Sequence, residues 1–217
     1  MKLKGSIELF QYWDRLREGR SAPRRTEIEP ADIKTMLADT FILERDARGA
    51  SIFRLAGTRL CAAFGRELKG YSFSALWAQK DERVIARLAH SVLNTKSVVL
   101  INAEAVSQSG RSMLIEWLLL PLDGGTENTR AMGSAIPTEK PFWIGNDPIT
   151  ELRIQSLRVI DADRELLNLG NRPEIVVPPL APSEVGSVED NQPLKTDSAS
   201  PARRIRHLLV IDGGKDD

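Results

Sequence analysis

Apolar residues in this chain recur first at helical spacing and later in strand-like runs, and the changes of pattern mark out its elements. Ile7, Phe10, Trp13 and Leu16 share one broad side of a helix. Ser6 can cap that helix and Gly19 ends it, which predicts an N-terminal amphipathic helix within residues 1–22. A helix this short is not stable alone, so it must dock on another surface. Pro23 to Pro30 reads as a connector, and Pro30 suits the first turn of a short helix. Strand-like runs follow at Thr40–Glu44 and Ser51–Ala56, joined by the polar turn from Arg45 to Gly49. Short helices are expected at Thr58–Phe64 and Phe73–Trp77, with Gly65 and Gly70 as punctuation, and a longer one from Asp81 to about Thr95. Three β-rich runs close the pattern at Ser97–Val106, Ser112–Leu120 and Thr129–Ile136. Ser109-Gly110 and Asp123-Gly124-Gly125 separate them as turns.

Consecutive hairpins make an antiparallel meander, and the two early strands must join the same sheet across the helices. The economical fold is α+β: a five-stranded antiparallel sheet with short helices on one face, assigned to residues 23–140. Between sheet and helices lies a concavity where a small ligand could bind. Its candidate lining is Phe53, Leu55, Phe64, Trp77, Leu88, Ile101 and Trp117, residue types that equally suit a filled hydrophobic core. The Ser112–Leu120 run carries a second message. Met113, Ile115, Trp117 and Leu119 lie on one face, and on the other only Glu116 interrupts Leu114, Leu118 and Leu120. A strand with one solvated face should be polar there, so this outer face is expected to be covered. The N-terminal helix can supply the cover, within one chain or across a homodimer. The dimer is the choice here, with Phe10, Trp13, Leu16, Leu114 and Leu118 as candidate interface residues.

Beyond residue 140 the composition shifts. Residues 141–172 read as an extension, and 173–201, rich in proline, serine and acids, as a disordered linker. Residues 202–217 hold a short echo: "RIQSLRVID" at 153–161 returns as "RIRHLLVID" at 204–212. Both copies suit a short extended strand that stops abruptly. The second, Ile205 to Ile211, is expected to dock on a folded surface by adding to a sheet edge.

Charge and chemistry then narrow the function. Lysine plus arginine and aspartate plus glutamate number 30 each, which gives no basic footprint for nucleic acid. The first twenty residues turn charged too soon for a signal peptide, and no window is apolar for the roughly 18 residues that span a bilayer. A single cysteine permits no internal disulfide, which fits a reducing cytoplasm. Cys61 sits among apolar neighbours with no nearby histidine and reads as buried and inert rather than nucleophilic. There are only two histidines, and His90 falls opposite the apolar side of its helix, where it could not ligate a haem in the cavity. No phosphate-loop pattern occurs. Neither a cofactor, a metal nor an enzyme activity is expected.

Two stretches carry a family resemblance. "FRLAGTRLCAAFGRELKGYSFSALW", from Phe53 to Trp77, resembles the PAS-domain segment in which a strand leads into short helices and an "FG…EL.G" turn. "FQYWDRLREGRSAPRRTEIEPADIKTMLADTFILE" is similar to a stand-alone PAS family common in alphaproteobacteria. One departure is Ala38-Asp39, where that pattern has a proline before the first strand. The resemblance implies a PAS fold and a sensory or regulatory role with no fixed ligand and no catalytic residues. With no effector following, such a chain would act as a signalling adaptor on a partner protein, with or without a small apolar ligand. The alternative is a small-molecule carrier or enzyme that uses the same cavity.

Overall fold

Six strands close into one antiparallel sheet. The computed structural model describes residues 1–124 and 129–165, together with the backbone of 202–205 and 208–211. The strands are β1 (Thr40–Arg45), β2 (Ser51–Ala56), β3 (Val98–Ser107), β4 (Ser112–Leu122), β5 (Arg130–Pro137) and β6 (Ile149–Ile160). Their spatial order is β2-β1-β5-β4-β3-β6. The meander β3-β4-β5 is the expected one, and β1 joins it through β5, with Phe41 opposite Gly133.

The expected count of five strands is corrected by β6, which pairs with β3 from Val98↔Ile160 to Ser107↔Ile149. The sheet therefore runs past residue 140 to Ile160. Two irregularities in the β3–β6 ladder, at Asn102/Ala103 and Val106/Ser107, break the alternation by which such a strand is recognised. The first copy of the echo lies in this strand. The second belongs to a separate unit, Glu174–Asp217. There the single strand expected over Ile205–Ile211 is replaced by an antiparallel pair, β7 (Ala202–Ile205) with β8 (Leu208–Ile211). Pairing satisfies main-chain groups that a lone strand would leave open. The linker assigned to 173–201 lies outside the described residues.

Helices lie on both faces of the six-stranded sheet. On the inner face lie α2 (Thr58–Ala63), a 3-10 turn at Ser74–Leu76 and α3 (Gln79–Thr95). Ile85, Ala89, Val92 and Leu93 of α3 face the sheet, whereas His90 is exposed, as the helical wheel requires. On the outer face lies α1 (Lys4–Arg17), which buries Leu9, Phe10, Tyr12 and Trp13 against Leu100, Leu118, Leu120 and Met132.

This packing corrects the dimer-interface expectation. Phe10, Trp13 and Leu118 are 0%, 1% and 0% exposed within a single chain, and Leu16 is half-buried in the same cluster. Leu114, at 49% exposure, is the one candidate left open to solvent. Polar contacts fix the docking. Trp13 Nε1 donates to the Pro121 carbonyl at 2.7 Å, and the Tyr12 hydroxyl accepts from the Glu29 amide at 2.8 Å. Arg17 lies over the Trp13 ring and pairs with Asp14 and Asp163. Ser6 is not the cap, because the helix begins at Lys4. Glu116, which interrupts the apolar outer face of β4, instead holds the chain that leads into the helix. Its carboxylate accepts from the amides of Lys2 (3.1 Å) and Leu3 (3.4 Å), just before the helix.

Candidate functional site

The expected cavity beneath the helices is filled. Phe53, Phe64, Trp77, Ile101 and Trp117 meet in one buried cluster with Phe41 and Phe73. Ring centroids stand 5.4 Å apart for Phe41 and Trp117, 5.6 Å for Phe73 and Trp117, and 6.0 Å for Trp77 and Trp117. Such spacings are contact packing between aromatic rings. Leu88 packs against the cluster from α3 and is partly buried. Among the described residues, the indole N–H groups of Trp77 and Trp117 find no acceptor.

Leu55 does not join them. It is 52% exposed because the β1–β2 ladder shifts register between Ile42 and Leu43. Leu43 faces Phe53 while Ile42 faces Leu55, so Arg54 is an extra residue and Leu55 turns to the opposite side. A one-residue slip exchanges the two faces of a strand.

A cavity of about 610 Å³ opens instead at one end of the sheet. It exists because β5 outruns β1. Pairing between them ends at Thr40↔Ser134, while β5 continues through Ala135, Ile136 and Pro137. In the place of a strand stand the start of α1, the turn at Leu37–Asp39, and α2. Leu60, Ala63, Met113, Ile115 and Ile144 give the cavity an apolar floor, and Lys4, Glu8, Asp39, Arg59 and Lys140 ring it with charge.

Two glycines set this geometry. At Gly5 a Cβ would sit 2.7 Å from Ile136 Cδ1, so α1 leans directly on the end of β5. At Gly57 a Cβ would sit 2.3 Å from the Ala38 carbonyl oxygen, and the Gly57 amide donates to Thr40 at 2.7 Å. The Leu37–Asp39 turn therefore lies hard against the start of α2. That approach brings the Asp39 carboxylate within 3.0 Å of the Arg59 guanidinium. Burial pushes the Asp39 carboxyl above the ordinary range, against the lowering pull of Arg59 and Lys140.

None of the predicted lining residues borders this cavity. The nearest sequence feature was the Ala38-Asp39 departure, which falls in the Leu37–Asp39 turn beside this cavity. Cys61 is partly buried beside α2's core contacts, and burial, with Glu67 nearby, pushes its thiol up. A raised thiol is a poorer nucleophile at neutral pH.

A sequence profile described as PAS domain matches residues 1–136. No curated protein matches the chain. Among solved structures, the chain is similar to a blue-light activated histidine kinase, EL346 of Erythrobacter litoralis, at 15% identity and a TM-score of 0.37. The match covers 64% of this chain and 41% of the kinase, so the chain spans less than half of that protein. Among the described residues no helix is long and apolar enough to cross a membrane, and no cluster of side chains could hold a metal ion.

Proposed function

The chain belongs to the PAS-domain family, and from that premise we propose a cytoplasmic sensory and regulatory module that acts by protein contact, not by turnover. The observation that carries the contact is the outer edge of β6. Its first half is occupied: the Ala78 amide donates to the Leu152 carbonyl at 2.8 Å, and Asp81 accepts from the Ile154 amide at 3.0 Å. Past Ile154 no described strand pairs with that edge. Leu157 and Val159 stand there 39% and 61% exposed, although their β3 partners Ile101 and Val99 are fully buried. An open edge bearing aliphatic side chains invites another strand.

A homodimer across β6 replaces the helix-mediated dimer, since α1 is engaged with its own sheet. A non-enzymatic role fits a raised Cys61 thiol and a His90 on the solvent side of α3. The test is light scattering of the full chain against a Leu157→Lys/Val159→Lys double variant. A dimer in the wild type that becomes a folded monomer in the variant is the expected result. A wild-type monomer at all concentrations, or an unaltered dimer in the variant, rejects β6 as the contact.

A further inference from the structure

We propose that the cavity at the end of the sheet binds a small amphipathic anion, a medium-chain fatty carboxylate. Its size suits this class, since about 610 Å³ falls within the roughly 300–1,000 Å³ of small-molecule sites. The chemistry of its wall is divided in the same way as such a ligand. Leu60, Ala63, Met113, Ile115 and Ile144 offer an apolar interior to a hydrocarbon tail.

Charge at the mouth decides the head group. Lys4 pairs with Glu8 at 3.6 Å and Arg59 with Asp39 at 3.0 Å, which leaves Lys140 as the lining cation with no carboxylate partner within ion-pair distance among the described residues. Three cations face two carboxylates, and the excess positive charge belongs to an exposed lysine. A carboxylate beside Lys140 and Arg59 would sit at the wet rim while its tail displaced water from the floor. A cationic head would meet the same excess as repulsion.

The position of the cavity gives such a ligand a consequence. Its walls come from α1 on the outer face, α2 on the inner face and, between them, the end of β5 that β1 leaves without a partner on that side. One molecule would touch both layers of helices, which elsewhere are separated by the sheet. This inference rests on the cavity alone. The experiment reads binding, so it can fail while the protein-contact reading stands, and the reverse.

Sodium decanoate is titrated into the full chain by isothermal calorimetry, with decyltrimethylammonium as the comparison of opposite charge. Saturable one-to-one binding of decanoate, and markedly weaker binding of the cation, are expected. Lys140→Glu should weaken decanoate by about fivefold, the worth of one exposed ion pair, and should narrow the preference over the cation. Ala62→Trp should abolish binding of decanoate, because Ala62 is exposed on α2 and lines the cavity, so the larger ring enters the cavity and not the core. Absence of decanoate binding overturns the proposal. So does equal affinity for the two head groups, or unchanged binding in an Ala62→Trp variant whose circular dichroism matches wild type.

Discussion

Gly133 lies in the middle of β5, where replacement by alanine should be harmless or helpful, and the structure makes the opposite prediction. Restricting the unfolded chain normally makes Gly→Ala stabilising by about 0.4–1 kcal/mol when the backbone can accept it. Here a Cβ would lie 2.3 Å from the Leu118 carbonyl oxygen and 2.4 Å from Cζ of Phe41. The carbonyl belongs to the neighbouring strand and cannot move without disturbing the β4–β5 ladder. The Phe41 ring is held by Phe53, Phe73 and Trp117, with centroids at 5.6, 6.1 and 5.4 Å. Overpacking of this kind costs about 1–3 kcal/mol, and two rigid obstacles put Gly133→Ala at the upper end. After the entropic gain is subtracted, a net loss of about 2 kcal/mol remains. Urea unfolding followed by tryptophan fluorescence reads it. Adding Phe41→Leu removes one obstacle, so the double variant should be less destabilised than the sum of the singles by about 1 kcal/mol. An unchanged or raised midpoint for Gly133→Ala would refute the close approach of Phe41 to β5.

Glu116→Ala should leave the Lys2 and Leu3 amides without their acceptor and cost about 1–3 kcal/mol; hydrogen exchange should accelerate at residues 2–8, and unchanged exchange there would remove Glu116 as the anchor of α1. Asp147 has its carboxyl held below the ordinary range, first by the Ser107 hydroxyl at 2.7 Å, then by the Ser109 amide and Arg111. Because the folded value is the lower one, its contribution is present above the unfolded value, roughly 3.9, and is lost as pH falls through the folded value. Melting of wild type and Asp147→Asn should therefore differ at pH 6 and converge at strongly acid pH, and a gap constant with pH would count against this pairing.

The meander, the two-face pattern of β4 and the covering of its outer face were legible because each is written in local periodicity. What escaped the sequence depends on pairing between distant residues. Leu55 sits two positions after Phe53, which in a regular strand means the same face, and only the register against β1 reveals the extra residue at Arg54. β6 was hidden because its exposed positions and ladder irregularities erase alternation. Partner choice for α1 turned on Glu116: read as a lone polar interruption, it is the group that ties the helix to its own β4. The cavity escaped for a different reason. Its walls are the ends of elements, and how far β5 outlasts β1 is a length difference that no residue pattern announces. Aromatic residues marked the core faithfully, yet the same residues filled the space where a pocket was expected.

The docking of α1 also fixes an order of events during synthesis. The helix leaves the ribosome ahead of the sheet, because the surface that receives it is built chiefly from β3, β4 and β5, ending at Pro137. At the usual rate of roughly 5–20 residues per second, that surface is completed on the order of ten seconds later. Throughout the interval Phe10 and Trp13, which are buried in the finished protein, have no sheet to meet. Helix α1 therefore cannot find its place until most of the sheet that follows it in the chain has been made.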